Sequence, residues 1–161
     1  TGEERRRAIA PRLAAARERF PDAWLGTEGI ERLATALGGP QYELLSGTTR
    51  TDLRALRAAG FADTVAIYAP IVLSEDEDVL LDALGGYVAR RGAVRAALPE
   101  AAAADANATG DAREVLLDAI DDYALVGTPR TIGDRTERLR AAGADVIVGY
   151  PARGLGAVVG P

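Results

Sequence analysis

The chain reads as an α/β protein built from parallel β/α units, and three observations predict this class. Short apolar runs alternate with amphipathic stretches at helical spacing. Glycine marks the step from one to the other. The longest run, "TVAIYAPIVL" at 64–73, is apolar throughout. Alternating strands and helices imply a parallel sheet with helical cover, and a strand apolar on both sides is what such a sheet buries.

Ile9, Leu13 and Ala16 recur at helical spacing among Arg and Glu, so residues 3–19 form a first helix. Within it, Pro11 either kinks the helix or opens a second segment. Thr1 and Glu4 fit a capping box. Pro21-Asp22 closes the helix, and 23–26 ("AWLG") is the first strand, with Trp24 expected in the core. A helix over 29–37 stops at Gly38-Gly39-Pro40, and 42–47 ("YELLSG") is the second strand. The helix over 49–60 carries Leu53, Leu56 and Ala59 on one face and ends at Gly60. After the strand at 64–73, Ser74 caps a helix whose early acids and late arginines suit the helix dipole. Residues 93–110 are Ala-rich and give a short helix and a loop. A helix over 111–127 turns Val115, Leu116, Ala119 and Ile120 inward. Thr128 caps the next helix, with Pro129 at its first position and Gly143 at its end. "ADVIVGYP" is the fourth and last strand, and 152–161 is a loose tail of the same single domain. Two architectures fit four such strands. One is an open doubly wound sheet. The other is half of a TIM-type (β/α)8 barrel, since a full barrel takes about 250 residues.

The 161 residues suffice for one domain with a buried core. No apolar run approaches the roughly 18–20 residues of a membrane helix. Arg5, Arg6 and Arg7 precede no apolar segment, which does not fit a secretory leader and leaves the cytoplasm as the expected compartment. Cys and His are absent, which removes thiolate and imidazole chemistry. All 19 basic residues are Arg, Ala makes up about a fifth of the chain, and the net charge is −5. This bias fits a GC-rich coding sequence, alone or together with a halophile-like, salt-adapted surface. The acidic balance argues against nucleic acid as partner. The chain starts without Met inside a helical pattern, so it reads as a piece of something longer.

In order and spacing, "AWLGTEGIERLA", "YELLSG", "AGFADTVAIYAPIVLSEDED" and "YALVGTPRTIGDRTERLRAAGADVIVGYP" resemble the C-terminal half of a luciferase-like monooxygenase. The likeness spans about residues 21–151. It is sharpest over 126–150, where a Gly-Thr-Pro helix start, an Arg-rich helix, an Ala-Gly cap and a final strand follow one another. The resemblance implies a (β/α)8 barrel that uses FMN or the deazaflavin coenzyme F-420. The strands near 24, 42, 65 and 146 would then be its fifth to eighth. It also implies a small-molecule substrate, and either a missing N-terminal half or a homo-oligomer in which a second copy completes the sheet.

In that family the flavin phosphate sits beside the loop after the fifth strand, commonly Gly-x-x-Gly. The matching residues are Gly26, Thr27, Glu28 and Gly29. Glycines admit close backbone approach, Thr27 offers a hydroxyl, and the helix that follows presents free N–H groups. Glu28 opposes this, because a carboxylate near a phosphate costs about a kcal/mol or more unless it turns away. The same four residues also serve as a plain strand-to-helix turn. The second turn, Ser46, Gly47, Thr48 and Thr49, has three hydroxyls with Arg50 close by, and suits either phosphate or ordinary helix capping. Tyr68, Tyr150 and Arg153 follow strand ends that face the mouth in such barrels. There a Tyr would stack on a ring and Arg153 would pair with an anion. No catalytic residue is assigned, and no metal-ligand spacing occurs; "SEDED" and Asp121-Asp122 read as solvated helix faces.

The leading expectation is a flavin- or deazaflavin-dependent oxidoreductase, with this chain as its cofactor-phosphate half. Two rivals are a non-catalytic barrel relative acting as an assembly or regulatory module, and an unrelated α/β domain that binds a phosphorylated metabolite.

Overall fold

A computed structural model describes residues 2–28, 31–154 and 156. Seven helices and five strands follow in the order α1 (Gly2–Arg19), β1 (Leu25–Gly26), α2 (Glu31–Leu37), β2 (Gln41–Leu44), α3 (Thr49–Ala58), β3 (Val65–Val72), α4 (Glu77–Val88), α5 (Gly92–Ala97), α6 (Gly110–Tyr123), β4 (Leu125–Val126), α7 (Pro129–Ala142) and β5 (Val146–Pro151). Thr1 of the expected capping box and most of the tail, 155 and 157–161, lie outside the described residues.

Every strand pair is parallel. β1 pairs with β2, β2 with β3, and β3 with both β4 and β5. The central strand β3 thus has three partners. Its carbonyls at Tyr68 and Val72 accept from Leu45 and Gly127, whereas those at Val65 and Ile71 accept from Asp145 and Ala152. Successive carbonyls point to opposite edges, so β4 sits on the same edge of β3 as β2, just beyond its end, and β5 holds the other edge. The fold is a partial β/α fold of one parallel sheet with surrounding helices, as its class predicts.

One expected element was mistaken. The helix expected to run to residue 127 ends at Tyr123, and Ala124 is already extended with φ −140° and ψ 162°. Leu125 and Val126 form a fifth strand because Ile71 and Val72 extend past β2 and leave an edge to fill. Ser74 is not the cap of α4. Asp76 takes that place, its carboxylate accepting from the N–H groups of Asp78 (2.9 Å) and Val79 (3.2 Å), while Ser74 Oγ accepts from Asp76 N. Pro11 lies inside one continuous helix. Thr128 caps α7 by accepting from Thr131 N at 3.1 Å, and Gly143 ends it at φ 122°.

Two apolar clusters hold these elements. Leu53 of α3, Leu139 and Ala142 of α7, Leu125 of β4 and Val65, Ile67 and Ala69 of β3 form the first, on one face of the sheet. Leu80, Leu81, Leu84 and Val88 of α4 pack with Leu116, Ala119 and Ile120 of α6 in the second, which meets the sheet at Val72. The expected inward face of α6 is realised at Leu116, Ala119 and Ile120, with Val115 half-buried. Strand alternation and register put Tyr42, Tyr68, Val146 and Tyr150 on the sheet face opposite α3 and α7. There Tyr42, Tyr68 and Tyr150 remain 38%, 36% and 39% exposed, and Tyr42 and Tyr68 lie 5.3 Å apart between ring centroids. Trp24 is 49% exposed rather than core, because the strand begins one residue later and Trp24 lies in a surface groove with Phe20, Leu13 and Leu37.

Helix α4 contains a matched pair of glycines. A Cβ on Gly85 would stand 2.4 Å from the Ala104 carbonyl oxygen, whereas one on Gly86 meets nothing within 4 Å. Gly85→Ala should therefore lower stability by about 1–3 kcal/mol through overpacking. Gly86→Ala should raise it by about 0.5–1 kcal/mol by reducing unfolded-state freedom. Urea denaturation of the two variants checks both signs.

Candidate functional site

Because all the strands run one way, their carboxyl ends open on one side of the sheet. A pocket of about 570 Å³ lies there, bounded by the turn after β1, the turn after β2, Arg91 and Tyr123.

The turn after β1 offers little to an anion. The register that pairs Gly26 with Tyr42 stands the Tyr42 ring over the glycine, and a Cβ there would fall 2.7 Å from its hydroxyl oxygen. Thr27 is buried, and both its N–H and its hydroxyl donate to the Tyr42 carbonyl, at 3.1 and 3.4 Å. Glu28 does turn aside, accepting from Arg91 Nη1 at 3.1 Å. Gly29 lies outside the described residues. Gly26 and Thr27 are thus committed to holding β1 against β2.

The turn after β2 is different. Thr49 is fully buried, and its hydroxyl accepts from Ser46 N at 2.9 Å and donates toward Glu43 at 3.4 Å. This ties the loop to the strand. The Ser46 hydroxyl lies 3.3 Å from that of Thr48 and 3.1 Å from that of Thr49. The N–H groups of Gly47 and Thr48 take no acceptor among the described residues, and Thr48 caps α3 without a side-chain bond. Two hydroxyls and two backbone donors therefore converge at the start of a ten-residue helix. Ser46 and Thr48 line the mouth pocket, and Ser46 and Gly47 also line a second hollow behind the loop.

Across the mouth runs a chain of polar groups that local sequence patterns did not reveal. Arg91 donates to Tyr87 Oη and to Glu28, and its guanidinium lies 4.6 Å from the Tyr87 ring centre and 5.3 Å from that of Tyr123. Contact with two rings while bridging to a carboxylate draws on both the charge and the planar fork of arginine. Tyr150, at the end of β5, joins the chain. Burial, then hydrogen bonding with Tyr87, pushes its hydroxyl up to about 12. Arg91, one of the late arginines expected to suit the helix dipole, thus joins three other elements as well.

Tyr68 stands with Tyr42 on the open sheet face, away from the donors of the second turn. Arg153 is exposed in the turn after β5 and makes no polar contact among the described residues. Of the acidic runs, Asp76 is a cap, Glu77 and Asp78 bind Arg113, and Asp121 binds Arg135. Among the described residues, no group of three or more acidic side chains is arranged to hold a metal ion, and no helix is long and apolar enough to cross a membrane.

Fold and mouth together define a partial β/α protein with a pocket at the carboxyl ends of β1 and β2. A family model described as a family of unknown function, DUF7388, matches residues 1–158, and the chain belongs to that family. No curated protein and no solved structure matches it.

The position of Tyr150 yields a pH prediction. An unfolded tyrosine titrates near 10, so between about pH 10 and 12 the unfolded chain loses a proton that the folded chain keeps. The Tyr150 contribution to stability is complete below pH 10 and is lost as pH rises through 12. In tyrosinate absorbance, Tyr150→Phe should remove the last-titrating phenol, and its stability should fall less steeply across that window. An unchanged titration curve would contradict the assignment.

Proposed function

We propose that this chain is the cofactor-phosphate half of a luciferase-like, flavin- or deazaflavin-dependent oxidoreductase that acts on a small molecule in the cytoplasm. The observation that carries the reading is the parallel sheet, whose strands β1, β2, β3 and β5 lie side by side in chain order, with a pocket at the carboxyl ends of β1 and β2. A barrel half that binds a cofactor at its mouth requires that arrangement.

The phosphate belongs at the second turn rather than the first. Ser46 and Thr48 hydroxyls with the N–H groups of Gly47 and Thr48 suit an oxyanion, although the Asp122 carboxylate against Gly47 opposes it. Thr27 has no free donor to give, and the Tyr42 ring stands over Gly26. Either FMN or coenzyme F-420 presents a phosphate of the required kind, and such a cofactor supplies the hydride-transfer chemistry when bound. The part left to this chain is to bind the phosphate, with Tyr68 on the sheet face and Arg153 beyond β5 as further contacts near the strand ends.

A second reading, an assembly or regulatory module without catalysis, draws support from the open sheet face. Tyr42, Tyr68 and Tyr150 are partly exposed there, and β1, β4 and β5 each pair on one side only. A second copy or a separate N-terminal half would cover such a face.

Titration with FMN and with coenzyme F-420, followed by fluorescence, separates the readings. The oxidoreductase reading expects binding of one of them, weakened about tenfold, or about 1.4 kcal/mol, when Ser46→Ala and Thr48→Ala are combined. Failure of both cofactors to bind, with a dimer in sedimentation velocity, would favour the module.

A further inference from the structure

Behind the second turn lies a hollow of about 320 Å³ that shares Ser46 and Gly47 with the cofactor reading but whose arginines that reading does not use. Its floor is Leu45, Ser46 and Gly47. One wall is Thr131, Arg135 and Arg138 on α7, and Arg50 of α3 faces them. Residues 131, 135 and 138 are spaced to lie on one side of a helix. The three arginines differ in their commitments. Arg135 is locked, its Nη1 donating to Asp121 Oδ1 at 2.9 Å and its Nη2 to the Asp121 carbonyl. Arg50 and Arg138 make no hydrogen bond or ion pair among the described residues. The opposing charges are Asp121, neutralised by Arg135, and Asp122, whose carboxylate rests against Gly47, where a Cβ would stand 2.6 Å from Oδ1.

We propose that this hollow binds the phosphoryl group of a small phosphorylated metabolite, with Arg50 and Arg138 as its ligands. Two guanidinium forks across a polar hollow provide paired donors for a tetrahedral oxyanion. The volume falls at the lower end for a small-molecule site. Arg135 and Asp121 cancel each other in charge, which leaves Arg50 and Arg138 against the single carboxylate of Asp122. Asp122 weakens the site by its own charge, so anion affinity rises when that carboxylate is removed. The site stands on the arginines and goes beyond the cofactor reading, since Arg135 and Arg138 do not line the mouth pocket.

Inorganic phosphate and pyrophosphate are the probes, titrated by calorimetry against chloride at matched ionic strength. Both should bind more tightly than chloride, pyrophosphate more so. Arg50→Gln and Arg138→Gln should each weaken binding at least tenfold, Asp122→Asn should tighten it about threefold, and Arg95→Gln on α5 should leave it unchanged. Phosphate binding no tighter than chloride would overturn the proposal, as would equal binding by the Arg50→Gln/Arg138→Gln double variant. FMN and coenzyme F-420 titrations of Arg138→Gln keep the two claims apart. Retained cofactor binding with lost pyrophosphate binding supports a separate site. Loss of both together in that variant would overturn its separateness.

Discussion

The guanidinium of Arg57 holds the amino ends of the central strands together, and the rest of the sheet is set from there. Its Nε and Nη2 donate to the Gly143 carbonyl at 3.0 and 2.8 Å, and its Nη1 donates to the carbonyls of Phe61 (2.8 Å) and Asp63 (2.9 Å). Nη2 also bonds Asp145, whose same oxygen accepts from Val65 N at 2.7 Å. All five N–H donors of the fork are therefore engaged. They close the end of α7, the loop after α3 and the starts of β3 and β5 into one knot. The register Ala66 to Val146 continues from that knot through to Ile71 and Pro151.

Arg91 plays a comparable part at the carboxyl side. It joins the turn after β1 to the end of α4 and the end of α6 through Glu28, Tyr87 and Tyr123. A chain whose basic residues are all arginine has such forks to spend, and a lysine ammonium would reach only part of either constellation. Apolar packing fills the space between the two. The sheet-side cluster around Leu53, Ile67 and Leu139 fixes one layer, and the α4–α6 pair forms a second block against Val72. Neither block covers Tyr42 and Tyr68, which leaves an aromatic face open.

Local signals in the sequence were enough to order most elements. Thr128, Pro129 and Gly143 mark the limits of α7 because capping depends on residues a few positions apart, and β3 declares itself by an unbroken apolar run. The two-residue strand β4 has no such pattern. Its state comes from an edge of β3 that lies more than fifty residues earlier in the chain. Ser74 and Asp76 are both capping types, and only the backbone entry to α4 decides between them. The second turn was legible as a donor cluster since its hydroxyls are neighbours. The closure of Gly26 by Tyr42 was not, because it depends on the parallel register between two strands. Long-range arginines were also hidden: Arg57 meets Gly143 at a separation of 86 residues, and Arg91 meets Glu28 at 63.

The most direct test of this account removes the Arg57 fork while keeping its charge. Arg57→Lys and Arg57→Ala should be compared by urea unfolding together with amide exchange at Val65, Ile67 and Ile147. Loss of several bonds to half-buried and exposed acceptors predicts about 1–3 kcal/mol of destabilisation for Arg57→Ala. Arg57→Lys should recover less than half of that, and exchange should accelerate first along β3 and β5. An Arg57→Lys protein within about 0.5 kcal/mol of the parent, with those amides equally protected, would contradict the claim that this fork sets the sheet.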